Sequence, residues 1–245
     1  MAPSALVGDV QVYEEDATTL EPGCWLNDAI IAYHLELFLS KHQLSQPRMV
    51  ILEPTTVFTA VMVGDPGQLR EMLSVSRSAG AVPLTQQLLD ADIVIMPVSN
   101  NEDAASAGGG SHWSLLVFRR RTGVDDAAGR FEHYDSCSNA NGPNARNVMA
   151  AIAPLLFPTG MQPQRMQLVR MTTPQQANGY DCGVYTLAIS EIICAAPVDD
   201  GATSSDTVTA AVRSLTPEAV TAKRAAWLEE VRQAMKYGPT QGPTK

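Results

Sequence analysis

Residues 175–185 read Gln-Gln-Ala-Asn-Gly-Tyr-Asp-Cys-Gly-Val-Tyr and place Cys182 at the start of an apolar helix. Tyr185, Ala188, Ile189, Ile192, Ile193 and Ala196 follow at the offsets of one helical face. A helix N-terminus presents unpaired N–H groups and the positive end of the macrodipole, and both favour thiolate over thiol. The thiolate is the nucleophile of cysteine chemistry. Gln176 lies six residues upstream, and glycines at 179 and 183 suggest a flexible setting for the cysteine. Taken alone, Cys182 is equally compatible with a small apolar residue in a core.

Outward from this stretch, the candidate partners lie on two strands. Residues 112–118 (His-Trp-Ser-Leu-Leu-Val-Phe) and 131–135 (Phe-Glu-His-Tyr-Asp) read as strands joined by a polar connection over 119–129. In an antiparallel pair, the start of one strand lies beside the end of the other. His112 and Asp135 then share one edge of the sheet, where His112 can serve Cys182 as base and Asp135 can orient the ring. The Gln176 side-chain amide and the Cys182 backbone N–H are candidate donors to a developing oxyanion. His34, His42 and His133 are the other histidines, and they read as structural. Among the remaining cysteines, Cys137, Cys24 and Cys194 read as packed small residues.

The remaining elements make an α+β chain. A short strand is expected over 10–13 and a helix over 29–41, capped by Asn27 or Asp28. Strands follow over 49–52, 93–98 and 165–170. Asp65-Pro66 opens a further helix, and short or longer helices are expected over 84–89, 144–156 and 206–213. The last helix begins at Thr216-Pro217 and ends before Gly238-Pro239, with Val220, Trp227, Val231 and Met235 as its stripe. Residues 99–111 are polar, then glycine-rich, and read as a loop that moves when substrate arrives. Helices, then central strands, then helices imply a single domain over 1–245 with a mostly antiparallel sheet flanked by helices.

Composition narrows the function. The 245 residues are 45% hydrophobic and 18% charged, with a formal net charge of -9. That balance argues against nucleic acid as the main partner and is compatible with a basic protein surface. No apolar run is long enough for a membrane span, and residues 1–16 lack the pattern of a secretory signal. Four cysteines without zinc spacing imply reduced thiols in the cytoplasm or nucleus, with no metal and no cofactor.

Four segments carry a resemblance to a known family: 25–28 (Trp-Leu-Asn-Asp), 109–117 (Gly-Gly-Ser-His-Trp-Ser-Leu-Leu-Val), 133–136 (His-Tyr-Asp-Ser) and 176–185. Together they resemble the Ulp1-type cysteine peptidases of clan CE, which have a papain-like fold and cleave ubiquitin-like modifiers. The resemblance spans residues 20–227. Among subfamilies the chain is most similar to the sentrin-specific peptidase 8 type, the deneddylases, through the 109–117 run, His-Tyr-Asp-Ser, and the Leu215-Thr216-Pro217 and Lys223-Arg224-x-x-Trp227 signatures. It implies His112 as base, Asp135 as orienter, Cys182 as nucleophile and Gln176 as oxyanion donor. It further implies that Trp25 and Trp113 line a narrow tunnel for a Gly-Gly tail, and that Asp28 and the 100–111 loop touch the modifier. A tunnel between two indoles would select a tail without side chains by steric exclusion. The implied partners are the neddylation modifier first, SUMO or ubiquitin as alternatives, and conjugates such as cullin-type proteins, met by a monomeric enzyme. Two other readings stand beside this one. A protein acetyltransferase of related order would need basic clusters for its cofactor, whereas the 17 Lys and Arg are widely spread. A non-catalytic modifier-binding module would show a decayed triad, whereas all four expected positions are filled.

Overall fold

Seven strands and nine α-helices are found among the described residues of the computed structural model, which are 3–42, 48–75, 80–103, 110–120, 129–158, 166–196 and 203–237. In chain order these are β1 (Ser4–Val7), β2 (Val10–Tyr13), α1 (Glu14–Ala17), α2 (Asp28–His42), β3 (Met49–Ile51), α3 (Pro54–Val63), α4 (Pro66–Leu73), α5 (Leu84–Asp90) and β4 (Ile93–Ser99). They continue as β5 (Trp113–Arg120), β6 (Gly129–Tyr134), α6 (Gly142–Ile152), β7 (Gln167–Arg170), α7 (Cys182–Ala195), α8 (Thr203–Arg213) and α9 (Pro217–Tyr237).

The central sheet has the order β3-β4-β5-β6-β7, and β1 and β2 form a separate antiparallel hairpin. β5 pairs antiparallel with both β4 and β6, as the hairpin reading requires. The two edge strands instead run parallel to their neighbours. The sheet is therefore mixed, with the longer ladders antiparallel, in line with the mostly antiparallel expectation. Both parallel pairings follow crossover connections, α3–α5 between β3 and β4 and α6 between β6 and β7, and a crossover returns the chain in the same direction.

Each face of the sheet carries its own core. Ile95, Leu115, Val117 and Tyr134 face α2, α7 and α9, while Val94, Met96, Leu116, Phe118 and Phe131 face α3 and α6. Side chains alternate between faces along a strand, so a strand covered on both sides is apolar throughout. This accounts for the unbroken apolar runs of β4 and β5. α7 is likewise covered all round, with every residue from Cys182 to Ser190 buried. The buried helix expected to begin at Cys182 is therefore found inside the core, with more than the Tyr185, Ala188 and Ile189 face covered. Gly183 follows from this position: a Cβ there would lie 3.0 Å from the Leu26 side chain. Neither Gly183 nor Gly179 has a positive φ, so close approach, rather than flexibility, explains Gly183.

Helix ends follow local chemistry. Asn27 caps α2, accepting the Ile30 N–H at 3.0 Å, and its amide donates to Asp16 at 2.7 Å. Asp65 caps α4 through the Gln68 N–H, and Thr216 caps α9 through the Ala219 N–H. Three elements, β1, α1 and α3, escape the sequence reading. β1 gives no distinct pattern, whereas α3 has a proline at its start and Gly64 at φ 65° at its end. The expectations for residues 104–109, 121–128 and 197–202 lie outside the described residues.

α9 fastens the loop before Cys182. Arg224 and Asp181 are only 2% and 3% exposed, and Arg224 Nε donates to Asp181 Oδ1 at 2.9 Å. Its Nη1 donates to the carbonyls of Thr19 and Glu21, and its Nη2 donates to that of Tyr180. One guanidinium thus ties the segment before Trp25 to the segment before Cys182. Removing one member of such a buried pair strands the other charge. Arg224→Met should therefore destabilise by about 3–5 kcal/mol, a Tm fall of about 6–20 °C by calorimetry. Adding Asp181→Asn should recover part of that loss.

Candidate active site

His112 sits immediately before β5, and Asp135 immediately after β6. The β5–β6 register (Leu115 opposite Tyr134) brings these two ends together. His112 Nε2 lies 2.8 Å from Asp135 Oδ1. Cys182 is the ring's other charged neighbour, and with Asp135 it favours the protonated imidazole. Cys182 is the first residue of the 14-residue α7, so its backbone N–H is among those the helix leaves unpaired. The structure thus joins the three residues from separate elements.

Charge at the site follows from these contacts. Burial works against a charged His112, but hydrogen bonds to Asp135 and Cys182 and their charges outweigh it and raise the ring to about 9. Burial alone would raise the Asp135 carboxyl. Hydrogen bonds from His112 and from the N–H groups of Cys137 and Asn141 instead hold it below the ordinary carboxylate range. The two backbone bonds are 2.9 Å each, Cys137 N to Oδ1 and Asn141 N to Oδ2. The arrangement favours an imidazolium held between a carboxylate and the Cys182 sulfur.

Gln176 is fixed before any substrate arrives. Its Oε1 accepts the Ser136 hydroxyl at 2.8 Å, and its backbone N–H donates to the Ser136 carbonyl. Its Nε2 donates to the Asn178 carbonyl at 2.7 Å, leaving the second amide hydrogen for another acceptor. Both indoles are anchored by their N–H groups, Trp113 to the Leu26 carbonyl and Trp25 to the Gly179 carbonyl. Trp113 is half-buried. Trp25 is 53% exposed, so it is a surface aromatic beside the cysteine loop, not a core one. A Cβ on Gly179 would meet open space beside that indole. Asp28 is half-buried in the first turn of α2, one residue after the Asn27 cap.

The other histidines and cysteines separate cleanly. His34 is fully buried against Tyr33, Phe38 and Trp227, and burial, aided by Lys41, lowers it to about 3. His133 is buried, with its ring nitrogens against Ser114 and Asn139. Cys194 is buried and its thiol is pushed up to about 12, chiefly by burial. Cys24 and Cys137 are exposed, which corrects the expectation that they are packed. Cys24 follows the Pro22-Gly23 turn, and Cys137 turns outward because its backbone N–H, not its side chain, is what Asp135 holds.

Two asparagines at the site give no sequence signal. Asn100 Oδ1 accepts from the N–H groups of Ser111 and His112 at 2.7 and 3.0 Å. Asn141 Nδ2 donates to the carbonyls of Val98 and His112 at 2.9 and 3.2 Å. Of the glycines expected to form a hinge, Gly110 is described. It has φ 97°, and a Cβ would lie 2.7 Å from Ser99 Oγ, so this position requires glycine.

An NMR titration of ring-labelled histidine should give His112 a midpoint near 9. Asp135→Asn should lower that midpoint, because it removes the charge that favours the protonated ring. An unchanged midpoint would show that Asp135 does not set it.

Several known proteins are similar to this chain in sequence or fold. A probable sentrin-specific protease 8 of Dictyostelium discoideum is 31% identical over 189 residues, covering 75% of this chain and 71% of the relative. NEDD8-specific protease 1 of Arabidopsis thaliana is 31% identical over 186 residues, covering 76% and 73%. Human sentrin-specific protease 8 is 28% identical over 230 residues, covering 93% and 95%. The fold is that of the C-terminal Ulp1 protease domain solved in complex with Smt3, the yeast ortholog of SUMO (TM-score 0.60, 17% identity, 95% of this chain and 88% of that one). The profile of the Ulp1 protease family, C-terminal catalytic domain, matches residues 25–233, and the chain belongs to this family of cysteine proteases.

Proposed function

We propose that this protease cleaves after the C-terminal Gly-Gly of the neddylation modifier, releasing it from precursors and from conjugates such as cullin-type proteins. The observation that carries the catalytic part is His112 held between Asp135 and Cys182 at the start of α7. The choice of modifier is supported by the relatives named as NEDD8-specific. In the proposed reaction Cys182 Sγ attacks the carbonyl carbon of the last glycine. The oxyanion is met by the Cys182 N–H and the Gln176 amide. Collapse breaks the C–N bond, and the leaving amine takes a proton from the His112 imidazolium. Water then loses a proton to His112 as it attacks the thioester, the C–S bond breaks, and the carboxylate departs from the regenerated thiolate–imidazolium pair. In this reading Trp25 and Trp113 flank the approach to Cys182, which is supported by the anchoring of their indoles to the Gly179 and Leu26 carbonyls. Asp28, at the exposed end of α2, contacts the modifier's folded body.

A panel of modifiers carrying C-terminal electrophiles tests this reading. The neddylation modifier should label Cys182 fastest. Faster labelling by SUMO or ubiquitin would reassign the substrate, and no labelling by any modifier would remove the protease assignment for this site. Cys182→Ala should be inactive yet still bind the modifier in a pull-down. Gln176→Ala should stay folded while kcat falls roughly 100- to 1000-fold, as for the loss of one oxyanion donor.

A further inference from the structure

Asn141 lies in the turn between β6 and α6 and is fully buried. Its three polar groups serve three different strand ends or none. The backbone N–H donates to Asp135 Oδ2 at 2.9 Å, just past the end of β6. The side-chain Nδ2 donates to the Val98 carbonyl near the end of β4 and to the His112 carbonyl just before β5. Oδ1 has no hydrogen-bond partner among the described residues. A buried acceptor without a partner is destabilising. An apolar side chain of similar size would relieve that atom but would take the Nδ2 donor away from the Val98 and His112 carbonyls, so the value of the asparagine lies in those two bonds.

The turn that presents Asn141 is itself strained. Ser138 and Asn139 have φ of 48° and 64°, the left-handed region that non-glycine residues rarely occupy. Strain of this kind persists where surrounding contacts over-determine the backbone. Here those contacts include Gln175 Oε1 accepting the Ser138 N–H at 2.6 Å and Gln175 Nε2 donating to the Asp135 carbonyl. From the other side, Asn100 holds the N–H of His112. The backbone of His112 is therefore gripped at its N–H by Asn100 and at its carbonyl by Asn141, while Asn141 also grips the carboxylate that faces the ring.

We infer that Asn141 is a positioning residue for the His112–Asp135 pair, setting the imidazole against the carboxylate by holding the backbone of one and the side chain of the other. It touches no reacting atom. Asn100 holds His112 alone, and Cys137 and Gln175 hold Asp135 alone, whereas Asn141 bonds both residues and so fixes their spacing beyond what the ladder sets. This inference rests on the proposed catalytic role of His112 but not on the choice of modifier.

Asn141→Leu in the full chain is the test, since it keeps volume and removes both side-chain hydrogen bonds. Hydrolysis of a C-terminal aminocoumarin derivative of the neddylation modifier should show kcat lower by roughly 10- to 100-fold, the scale of a small misplacement of reacting groups, with KM within about twofold. The NMR midpoint of His112, near 9 in the parent protein, should fall. A folded variant with parental kcat and parental midpoint would overturn the inference. So would a lower kcat with an unmoved midpoint, which is the signature of a merely structural residue. If Asn141→Leu does not fold, Asn141→Ala is read on the same two measures, and failure of both to fold would likewise overturn it. The NMR measurement needs no modifier. A parent enzyme that ignores this substrate, with a midpoint that still falls in the variant, would remove the substrate reading and leave the positioning role standing.

Discussion

The hydrogen-bonded contact between Asp135 and His112 is the constraint on which the site depends. Asp135 ends one strand and His112 precedes its neighbour, so the contact exists only if β5 and β6 pair in their observed register. A slip of one residue would send the side chains to opposite faces. The carboxylate also has to remain charged where burial disfavours charge. It does so because both oxygens accept backbone N–H groups from the following turn. The turn is thus shaped around the carboxylate, and the ring is placed by the sheet.

Against this rigid pair, the cysteine arrives from a different layer. The first nine residues of α7 are buried in the core that covers one face of the sheet, and Cys182 at its N-terminus lies by the strand ends that carry His112 and Asp135. Embedding the helix fixes the thiol position more firmly than a surface helix would, because packed interiors resist small shifts. Gly183 allows α7 to approach Leu26 closely, and the neighbours of Leu26 in sequence are Trp25 and Asn27. The Leu26 carbonyl in turn holds Trp113. Nucleophile, base and the two indoles are therefore linked through one short segment.

Much of this is legible in the sequence because the signals are local. The alternation and turn around residues 112–135 give the hairpin, and the hairpin places His112 and Asp135 together. Helix caps at Asn27, Asp65 and Thr216 are equally local. The parallel edges of the sheet are less legible, since β3 and β7 are short and their direction depends on crossovers rather than on pattern. Asn141 and Arg224 are illegible for another reason. Their roles depend on carbonyls 29 or more residues away in sequence, which no periodicity encodes. The exposure of Cys137 similarly follows from a strained turn that composition does not announce.

The bridge from Arg224 to the loop before Cys182 also bears on how the protein is made. The guanidinium lies on the last helix, yet its contacts are at Thr19, Glu21, Tyr180 and Asp181. During vectorial synthesis the strands and the nucleophile emerge first, and α9 follows. Until it does, Asp181 lacks the Arg224 guanidinium, and the two loops flanking the site are joined by the Trp25–Gly179 hydrogen bond without it. A ribosome-bound chain therefore lacks this buried ion pair until α9 has emerged.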